Sequence, residues 1–367
     1  MNPMKMNMNM KNTILYLTLA ALILAGCARD PKIGPNDANK LYLDSWIQVN
    51  HPDAAITGLG AYILEDTPGT GITPGSADTY PYVRVAYTVR SLDGSVQSTT
   101  DEELSKRLGT YTANESKCPY YGPVVWSRTG NALVAGLEEA VSTMSVGGHR
   151  TMLLPGWLLG VDASTNMSIR YKTAEEYLEK VKGGSPVIYE LTLTEAFADV
   201  QKWQVDSIGR YLPEQFPGKT AADSTRNGFY YFRTGAPSSE KKFKNDTTIY
   251  INYIARRLDG GVFDTSIADT AKYYGIFSAS RKYGACKVKW YASDKDYTDI
   301  TMTMPGSSNG TSVIDGFSLG LDQMHPHEKG TAIFISTWGY GVKGSSPSIP
   351  GYSPLRFDIE IVDKPAE

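Results

Sequence analysis

Two stretches of alternating apolar and polar residues dominate the pattern of the chain, at 83–92 and at 249–258. A period of two predicts β-strands that turn one face toward a core. Each stretch runs into an Asp-Gly pair, at 93–94 and at 259–260. Such a pair supplies the positive φ that a tight hairpin turn needs. The two halves of the chain therefore predict the same long strand followed by the same turn.

The correspondence between the halves continues beyond the hairpin. Segments 133–144 and 313–324 both carry apolar residues at i, i+4 and i+8, the spacing of a short helix that packs on a sheet. Further strands are predicted at 149–154, 187–193, 331–336 and 355–361. Helical patterns around Trp46 and Trp203 precede the two halves. The prediction is an α+β fold with two repeated domains, each an antiparallel sheet wrapped around a short helix, with an added helix before each domain.

The N-terminus has the pattern of an export signal. Lys5 and Lys11 precede an apolar run at 14–25, which is too short to span a membrane. The run ends in Leu24-Ala25-Gly26-Cys27, which resembles a bacterial lipobox. That resemblance implies cleavage before Cys27 and lipidation of its thiol, and Ala28 then favours an outer-membrane lipoprotein that faces the periplasm. The alternative is a plain secretory signal that happens to contain a cysteine.

These patterns divide the chain into five segments. They are a lipoprotein signal peptide at 1–26, a tether at 27–39, a first domain at 40–198, a linker helix at 199–227 and a second domain at 228–367. Two insertions interrupt the repeat, at 162–184 and at 267–299, and the second insertion is rich in Tyr and Lys without a clear period.

Composition excludes several classes of protein. With 41% hydrophobic and 20% charged residues the chain is globular rather than disordered. It has 36 basic and 39 acidic residues and no long basic run, which argues against a nucleic-acid partner. Once Cys27 is lipidated only Cys118 and Cys286 remain, so neither a disulfide scaffold nor a cysteine zinc site is expected. No cofactor is expected.

A possible metal motif occurs at His325-Pro326-His327-Glu328. The proline separates the two histidines, no third ligand cluster is visible, and the whole chain has four histidines. We therefore interpret these residues as a solvated turn rather than a metal site.

The second half resembles an FKBP-type peptidyl-prolyl isomerase domain over about 228–363. The resemblance depends on the order and spacing of Tyr253, Phe263-Asp264, Val313-Ile314, Tyr340-Gly341 and Phe357. The first half is similar over about 80–197, but fewer of these positions match.

The resemblance implies an apolar pocket for proline. Its walls would be Tyr253, Phe263, Val313, Ile314, Tyr340 and Phe357. Its floor, a Trp in most of the family, would be Phe317. Asp264 would orient the polar side of the pocket, while the Ile314 N–H and the Tyr340 hydroxyl would face the substrate carbonyl. A further wall would come from Met302 or Met304, beyond the second insertion.

The corresponding positions of the first half have changed. Val96-Gln97 stands where Phe263-Asp264 stands, and Leu137 and Leu159 replace the floor aromatic and the rim tyrosine. Aromatic residues remain at Tyr87 and Tyr189. The first domain is therefore predicted to be a non-catalytic copy.

The function implied by the resemblance is peptidyl-prolyl cis–trans isomerisation by the C-terminal domain, on proline-containing segments of exported proteins. Macrolide immunosuppressant-type ligands would occupy the same pocket. The alternative is a non-catalytic lipoprotein that binds a peptide or a partner protein. A third, less favoured interpretation is a glycan-binding lipoprotein, prompted by 24 Tyr and 6 Trp.

Overall fold

The computed structural model describes residues 34–111, 118–244, 246–291 and 299–366. Cys27, the predicted signal peptide and the first part of the predicted tether lie outside the described residues. Within those residues, no helix is both long enough and apolar enough to cross a membrane.

The helices and strands of the described residues follow the predicted repeat. The α-helices are α1 (Asp37–Asn50), α2 (Glu102–Arg107), α3 (Ala135–Thr143), α4 (Ala174–Lys180), α5 (Val200–Gln215), α6 (Ala268–Tyr273) and α7 (Asp315–Gln323). Short 3₁₀ turns cover Thr129–Asn131, Gly156–Leu159, Ala221–Asp223 and Ser336–Trp338. The strands of the first half are β1 (Ala55–Ile56), β2 (Tyr62–Thr67), β3 (Tyr82–Arg90), β4 (Val96–Thr99), β5 (Val124–Ser127), β6 (His149–Leu154) and β7 (Val187–Phe197). Those of the second half are β8 (Phe229–Gly235), β9 (Thr248–Arg257), β10 (Val262–Thr265), β11 (Cys286–Tyr291), β12 (Asp299–Thr303), β13 (Thr311–Ser312), β14 (Lys329–Phe334) and β15 (Leu355–Val362).

The two halves form separate antiparallel sheets with the same central order. The first sheet runs β1-β2-β6-β7-β3-β4, with β5 also paired to β3. The second runs β13-β12-β11-β9-β15-β14-β8, with β10 also paired to β9. The shared core, β2-β6-β7-β3 in one half and β8-β14-β15-β9 in the other, confirms the predicted α+β repeat. Gly94 and Gly260 have φ of 86° and 90°, as the predicted hairpin turns require.

Each sheet packs on the short helix that the repeat predicts. Helix α3 buries Leu137, Ala140 and Val141 in the first core, and α7 buries Phe317 and Leu321 in the second. These residues recur every three or four positions, so one stripe of each helix faces its sheet.

The other side of the second sheet is covered by α5, the predicted linker helix. Ile208 and Leu212 of α5 pack against Tyr230, Ile333 and their neighbours on the outer face of β8 and β14. Both faces of these strands are therefore buried, which explains why β8 is an uninterrupted apolar run at its start. Helix α1 precedes the first sheet in the same way and buries Leu43.

The described part of the second insertion, 267–291 and 299, has more regular structure than its composition predicts. It contains α6 and β11, and β11 pairs with both β9 and β12. The lack of hydrophobic period has a physical cause, because β11 lies between two strands and α6 has only 6 residues.

The turn at 325–328 is only partly solvated, contrary to the prediction: His327 is exposed, whereas Glu328 is buried. The side chain of Glu328 is fully buried and accepts hydrogen bonds from the Tyr231 hydroxyl at 2.5 Å and from the backbone N–H of His325 at 3.1 Å. Arg233 lies 3.2 Å from the same carboxylate. Tyr231 and Arg233 belong to β8, far from the turn in sequence. The prediction was wrong because it took Glu328 without these distant neighbours. Among the described residues, no group of three or more His, Cys, Asp and Glu side chains could hold a metal ion.

Candidate functional site

Two of the predicted site residues, Phe263 and Asp264, lie at a β-bulge on β10. Val262 pairs with Arg256 and Asp264 pairs with Ala255, so Phe263 is the extra residue of the strand. A bulge bends its strand and re-aims the side chains on it. Here the ring of Phe263 packs against Phe357, with ring centroids 6.0 Å apart, while Asp264 turns toward β9.

Asp264 is hydrogen-bonded to Tyr253 on the neighbouring strand β9. The Tyr253 hydroxyl donates to Oδ2 of Asp264 at 2.6 Å. Burial, followed by the charge of Asp264, raises the pKa of Tyr253 well above its ordinary value of 10. The phenol therefore stays protonated at neutral pH and remains the donor in this bond.

Arg281 completes this polar cluster, and sequence reasoning missed it. Its Nη1 donates to Oδ1 of Asp264 at 2.5 Å, and its Nη2 donates to the Tyr253 hydroxyl at 3.3 Å. Arg281 lies in the second insertion, where no periodicity pointed to a position facing the pocket. A cation beside the carboxylate neutralises the polar side of the site.

The floor of the site is a cluster of aromatic rings. Phe317 is 2% exposed. Its ring centroid lies 5.8 Å from that of Tyr253 and 5.1 Å from that of Phe357. The first turn of α7 brings Phe317 here, and the pairing of β15 with β9 places Phe357 opposite Ala255. Aromatic pairs at such spacings are favourable beyond their area burial.

The rim of the site is less buried than its floor. Phe263, Val313 and Ile314 are half-buried, and Tyr340 is 37% exposed. Ile314 caps α7, and its carbonyl accepts the N–H groups of Phe317 and Ser318. In the described part of the chain the N–H of Ile314 has no acceptor, so it is available to a ligand. Burial raises the pKa of Tyr340, which keeps its hydroxyl protonated.

An open depression of about 580 Å³ extends from this cluster, and Tyr253, Asp264, Arg281, Met302 and Met304 lie along it. The structure thus places both methionines beside the pocket, in the region where the sequence predicted one of them. The Cys286 thiol lies 3.6 Å from the sulfur of Met304. Burial raises the pKa of Cys286 to about 12, so this thiol is a buried group behind Met304 and not a nucleophile.

Comparison with known proteins agrees with this geometry. Residues 292–362 match the family model described as "FKBP-type peptidyl-prolyl cis-trans isomerase". In this region the second half of the chain is similar to FKBP-type isomerases.

Individual relatives match a limited part of the chain. "Macrophage infectivity potentiator" of Trypanosoma cruzi is 24% identical over 42% of this chain and 62% of its own length. "FK506-binding protein 1A" of Aspergillus fumigatus is 27% identical over 32% of this chain and 79% of its own length. "Peptidyl-prolyl cis-trans isomerase FKBP2" of Mus musculus is 33% identical over 23% of this chain and 64% of its own length. The chain thus spans less than two thirds of the first and third of these relatives.

Two solved structures were also found. The three FKBP domains of wheat FKBP73 cover 84% of this chain and 98% of their own, with 14% identity and a TM-score of 0.27. FkpA from Escherichia coli covers 46% of this chain and 64% of its own, with 23% identity and a TM-score of 0.28.

The first FKBP-like domain has a different arrangement at the corresponding positions. Tyr87 is packed between Trp126 and Tyr189, with centroid distances of 5.4 and 6.3 Å. The strand register corrects the prediction that Gln97 takes the place of Asp264: Gln97 is the bulge residue of β4, as Phe263 is of β10, and Ser98 takes the place of Asp264. Gln97 is exposed and donates to Ser91. Within the described residues, no carboxylate lies at hydrogen-bonding distance from the Tyr87 hydroxyl. The ring of Trp126, which sequence reasoning did not single out, covers the tyrosine.

Leu137 and Leu159 of the first domain both pack on its core. Leu137 is buried and Leu159 is half-buried against the same cluster. Neither side chain has a polar atom, so they supply no equivalent of the Tyr340 hydroxyl. The prediction that the first domain is non-catalytic has not been tested by any measurement and stays a prediction.

Proposed function

We propose that the second domain catalyses cis–trans isomerisation of Xaa-Pro bonds in its pocket. The observation that carries the proposal is the joint placement of the Tyr253–Asp264–Arg281 cluster beside a floor of Phe317 and Phe357. The eight residues predicted from the sequence come from β9, β10, α7, β15 and the turns before α7 and after β14.

The aromatic floor favours the reaction by excluding water. Rotation about the C–N bond of Xaa-Pro has a barrier of about 18–20 kcal/mol because the bond has partial double-bond character. The twisted amide at the transition state has lost this resonance and its charge separation. An apolar pocket therefore binds the twisted form better than the planar form, and this difference in binding lowers the barrier.

The polar groups at the rim orient the substrate without exchanging protons with it. The free N–H of Ile314 is suited to a carbonyl of the peptide, and the protonated hydroxyl of Tyr340 provides a second donor. Asp264 is held by Tyr253 and Arg281, so its orientation is fixed before substrate binds. No covalent intermediate is required.

The test is cis–trans exchange in a short Xaa-Pro peptide, measured by NMR with the purified full chain. Acceleration by the wild type that is strongly reduced in Phe263→Leu would support the proposal. Tyr87→Phe, at the position of the first domain that corresponds to Tyr253, is the matched control and should retain full activity. Peptide-induced shifts without exchange would instead support the non-catalytic binding function.

We further propose that the protein acts on exported polypeptides at the bacterial cell envelope. The lipobox-like Leu24-Ala25-Gly26-Cys27 supports membrane attachment through Cys27, and Ala28 supports an outer-membrane location facing the periplasm. The apolar pocket also supports binding of macrolide immunosuppressant-type ligands in competition with proline peptides.

A further inference from the structure

A segment of the first domain, 118–123, lies on a loop of the second domain, 340–352. The backbone N–H of Tyr120 donates to the carbonyl of Pro347 at 2.8 Å. This bond joins the two domains directly, because Tyr120 follows α2 in the first half and Pro347 follows β14 in the second.

Arg257, at the end of β9, ties the same two segments together. Its Nη1 donates to the Ser348 carbonyl at 2.7 Å and to the Cys118 carbonyl at 3.2 Å. The guanidinium lies 5.2 Å from the centroid of the Tyr120 ring and pairs with Asp259 at 3.0 Å. Arg257 is 7% exposed, so these bonds are shielded from competing water.

The loop at 340–352 is a closed unit that begins at the pocket. The Tyr340 carbonyl accepts the N–H of Gly344 at 3.1 Å. Ser345 and Ile349 exchange two backbone hydrogen bonds, at 2.7 and 2.8 Å. Ile349 is 3% exposed and packs in the same core cluster as Phe357. Hydrogen bonds to the Pro347 and Ser348 carbonyls therefore also restrict the positions of Tyr340 at the rim and of Ile349, which packs in the cluster of Phe357.

Tyr340 depends on this loop for its position. Within the described residues, its hydroxyl has no hydrogen-bond partner, and the side chain is 37% exposed. The backbone of the loop therefore contributes to its location, together with the packing around its ring. A loose loop would spread the hydroxyl over many positions, at an entropic cost when substrate binds.

We propose that the first domain is a positioning element for the pocket of the second, acting through Tyr120 and Arg257 on the loop at 340–352. This inference rests on the proposed isomerase function for its kinetic consequence. The repeat supports it: the first half has Ser91 where the second has Arg257, and Ser91 is bonded within its own domain to Gln97. The arginine at this position occurs in the second domain, whose loop at 340–352 is hydrogen-bonded to the first domain.

The test uses the full chain with paired variants. Tyr120→Pro removes the N–H that bonds Pro347, whereas Tyr120→Ala keeps it and removes only the side chain. Because residue 120 lies in the first domain, any change in the second domain must pass through the interface. Arg257→Ser removes the other contact, and Arg90→Ser, in the hairpin of the first domain where Arg90 pairs with Glu190, is the matched control.

Two quantities are measured for each variant. They are the rate of amide hydrogen exchange over 341–352, and kcat and KM for a short Xaa-Pro peptide. We expect Tyr120→Pro and Arg257→Ser to speed exchange in the loop and to lower kcat/KM by about fivefold or more, as expected for loss of one or two hydrogen bonds. Tyr120→Ala should have a smaller effect, and Arg90→Ser none.

Unchanged loop exchange in both Tyr120→Pro and Arg257→Ser would overturn the proposal. So would faster exchange with unchanged kcat and KM, because the loop would then not position the pocket. If the wild type has no isomerase activity, the proposed function fails by itself. In that case amide hydrogen exchange over 341–352 still tests whether the first domain positions the loop. Faster exchange in both variants would support this role, and unchanged exchange would overturn it.

Discussion

The backbone of Gly316 lies against the ring of Phe334 so closely that a Cβ at residue 316 would stand 2.6 Å from three ring carbons. One turn later, a Cβ at Gly320 would lie 2.9 Å from the Cβ of Ala332. Helix α7 therefore rests directly on β14 at its first two turns. Because Ile314 and Phe317 belong to the start of α7, this contact sets the height of the pocket floor.

Gly316→Ala should push α7 away from the sheet. We expect the free energy of unfolding to fall by about 1–3 kcal/mol, as in other overpacked cores, and isomerisation to slow, because the Ile314 N–H and Phe317 move together. Urea unfolding and peptide exchange measure the two effects. Gly136→Ala is the control at the equivalent position of the first domain, where the nearest atom is the flexible end of Leu154 at 2.9 Å. Wild-type kinetics in Gly316→Ala would contradict this account.

Asp264→Asn and Tyr253→Phe should each slow isomerisation. Tyr253→Phe removes the donor hydroxyl, and Asp264→Asn leaves one acceptor oxygen for the two donors, Tyr253 and Arg281. Loss of one positioned hydrogen bond in such a site is worth about 1–3 kcal/mol, or roughly ten- to a hundredfold in rate. Tyr231→Phe is the matched control. Its hydroxyl also bonds a carboxylate, that of Glu328, but away from the pocket, so it should lower stability and leave kcat/KM unchanged. Equal kinetics in Asp264→Asn and wild type would show that the assigned pocket is wrong.

Phe317→Trp tests the floor of the pocket. The larger ring restores the residue usual in the family and should hold or raise kcat/KM. Since Phe317 is 2% exposed, the extra volume should also lower the free energy of unfolding by about 1–3 kcal/mol. Kinetics and thermal unfolding on the same preparation separate these effects. A large drop in kcat/KM in a folded variant would mean that Phe317 fits its own pocket better than Trp does.

The rate of isomerisation should be flat between pH 6 and 9. The phenols of Tyr253 and Tyr340 have pKa values raised by burial above 10, so both remain protonated in this range. A bell-shaped profile would indicate acid–base chemistry and would contradict the mechanism.

The raised pKa of Tyr253 also predicts how stability changes in alkali. The unfolded chain loses this proton first, so the contribution of Tyr253 is complete below pH 10 and is lost as pH rises toward the folded pKa. The stability difference between wild type and Tyr253→Phe should therefore shrink by about 1 kcal/mol between pH 10 and pH 11. Urea unfolding at pH 8, 10 and 11 measures it, and a constant difference would contradict the prediction.

Cys27→Ser tests membrane attachment. If Cys27 carries the lipid, the variant should move from the membrane fraction to the soluble periplasmic fraction of the expressing cells, because no other residue is expected to be lipidated. Cys118→Ser is the control and should stay with the membranes. A Cys27→Ser protein that still requires detergent for extraction would rule out the lipobox interpretation.

The repeat could be recognised from sequence because its signals are local. Alternation along β3 and β9, and the Asp-Gly turns at 93–94 and 259–260, are set by residues next to one another. The pairs Phe263-Asp264 and Val313-Ile314 are each adjacent in sequence, so the resemblance identified these residues without knowledge of the tertiary structure.

The residues that were missed depend on contacts between distant segments. Arg281 reaches Asp264 from an insertion without periodicity. Glu328 is buried by Tyr231 and Arg233, which lie on a strand about 95 residues earlier in the chain. Trp126 covers Tyr87 through the pairing of β5 with β3. No local sequence pattern indicates these contacts, because each of them joins segments that only the folded chain brings together.

Helix α5 buries the outer face of the second sheet, and this has a consequence for how the domain can be moved or shortened. A fragment that begins at residue 228 would leave Tyr230, Phe232, Ile333 and Ile335 open to water on the outer face of the sheet, an apolar patch prone to aggregation. The portable unit is 199–366, a sheet together with the helix that precedes it. Helix α1 has the same relation to the first sheet, so the segment that was duplicated began with its helix, and a gene fusion or excision should cut on the N-terminal side of Asp199.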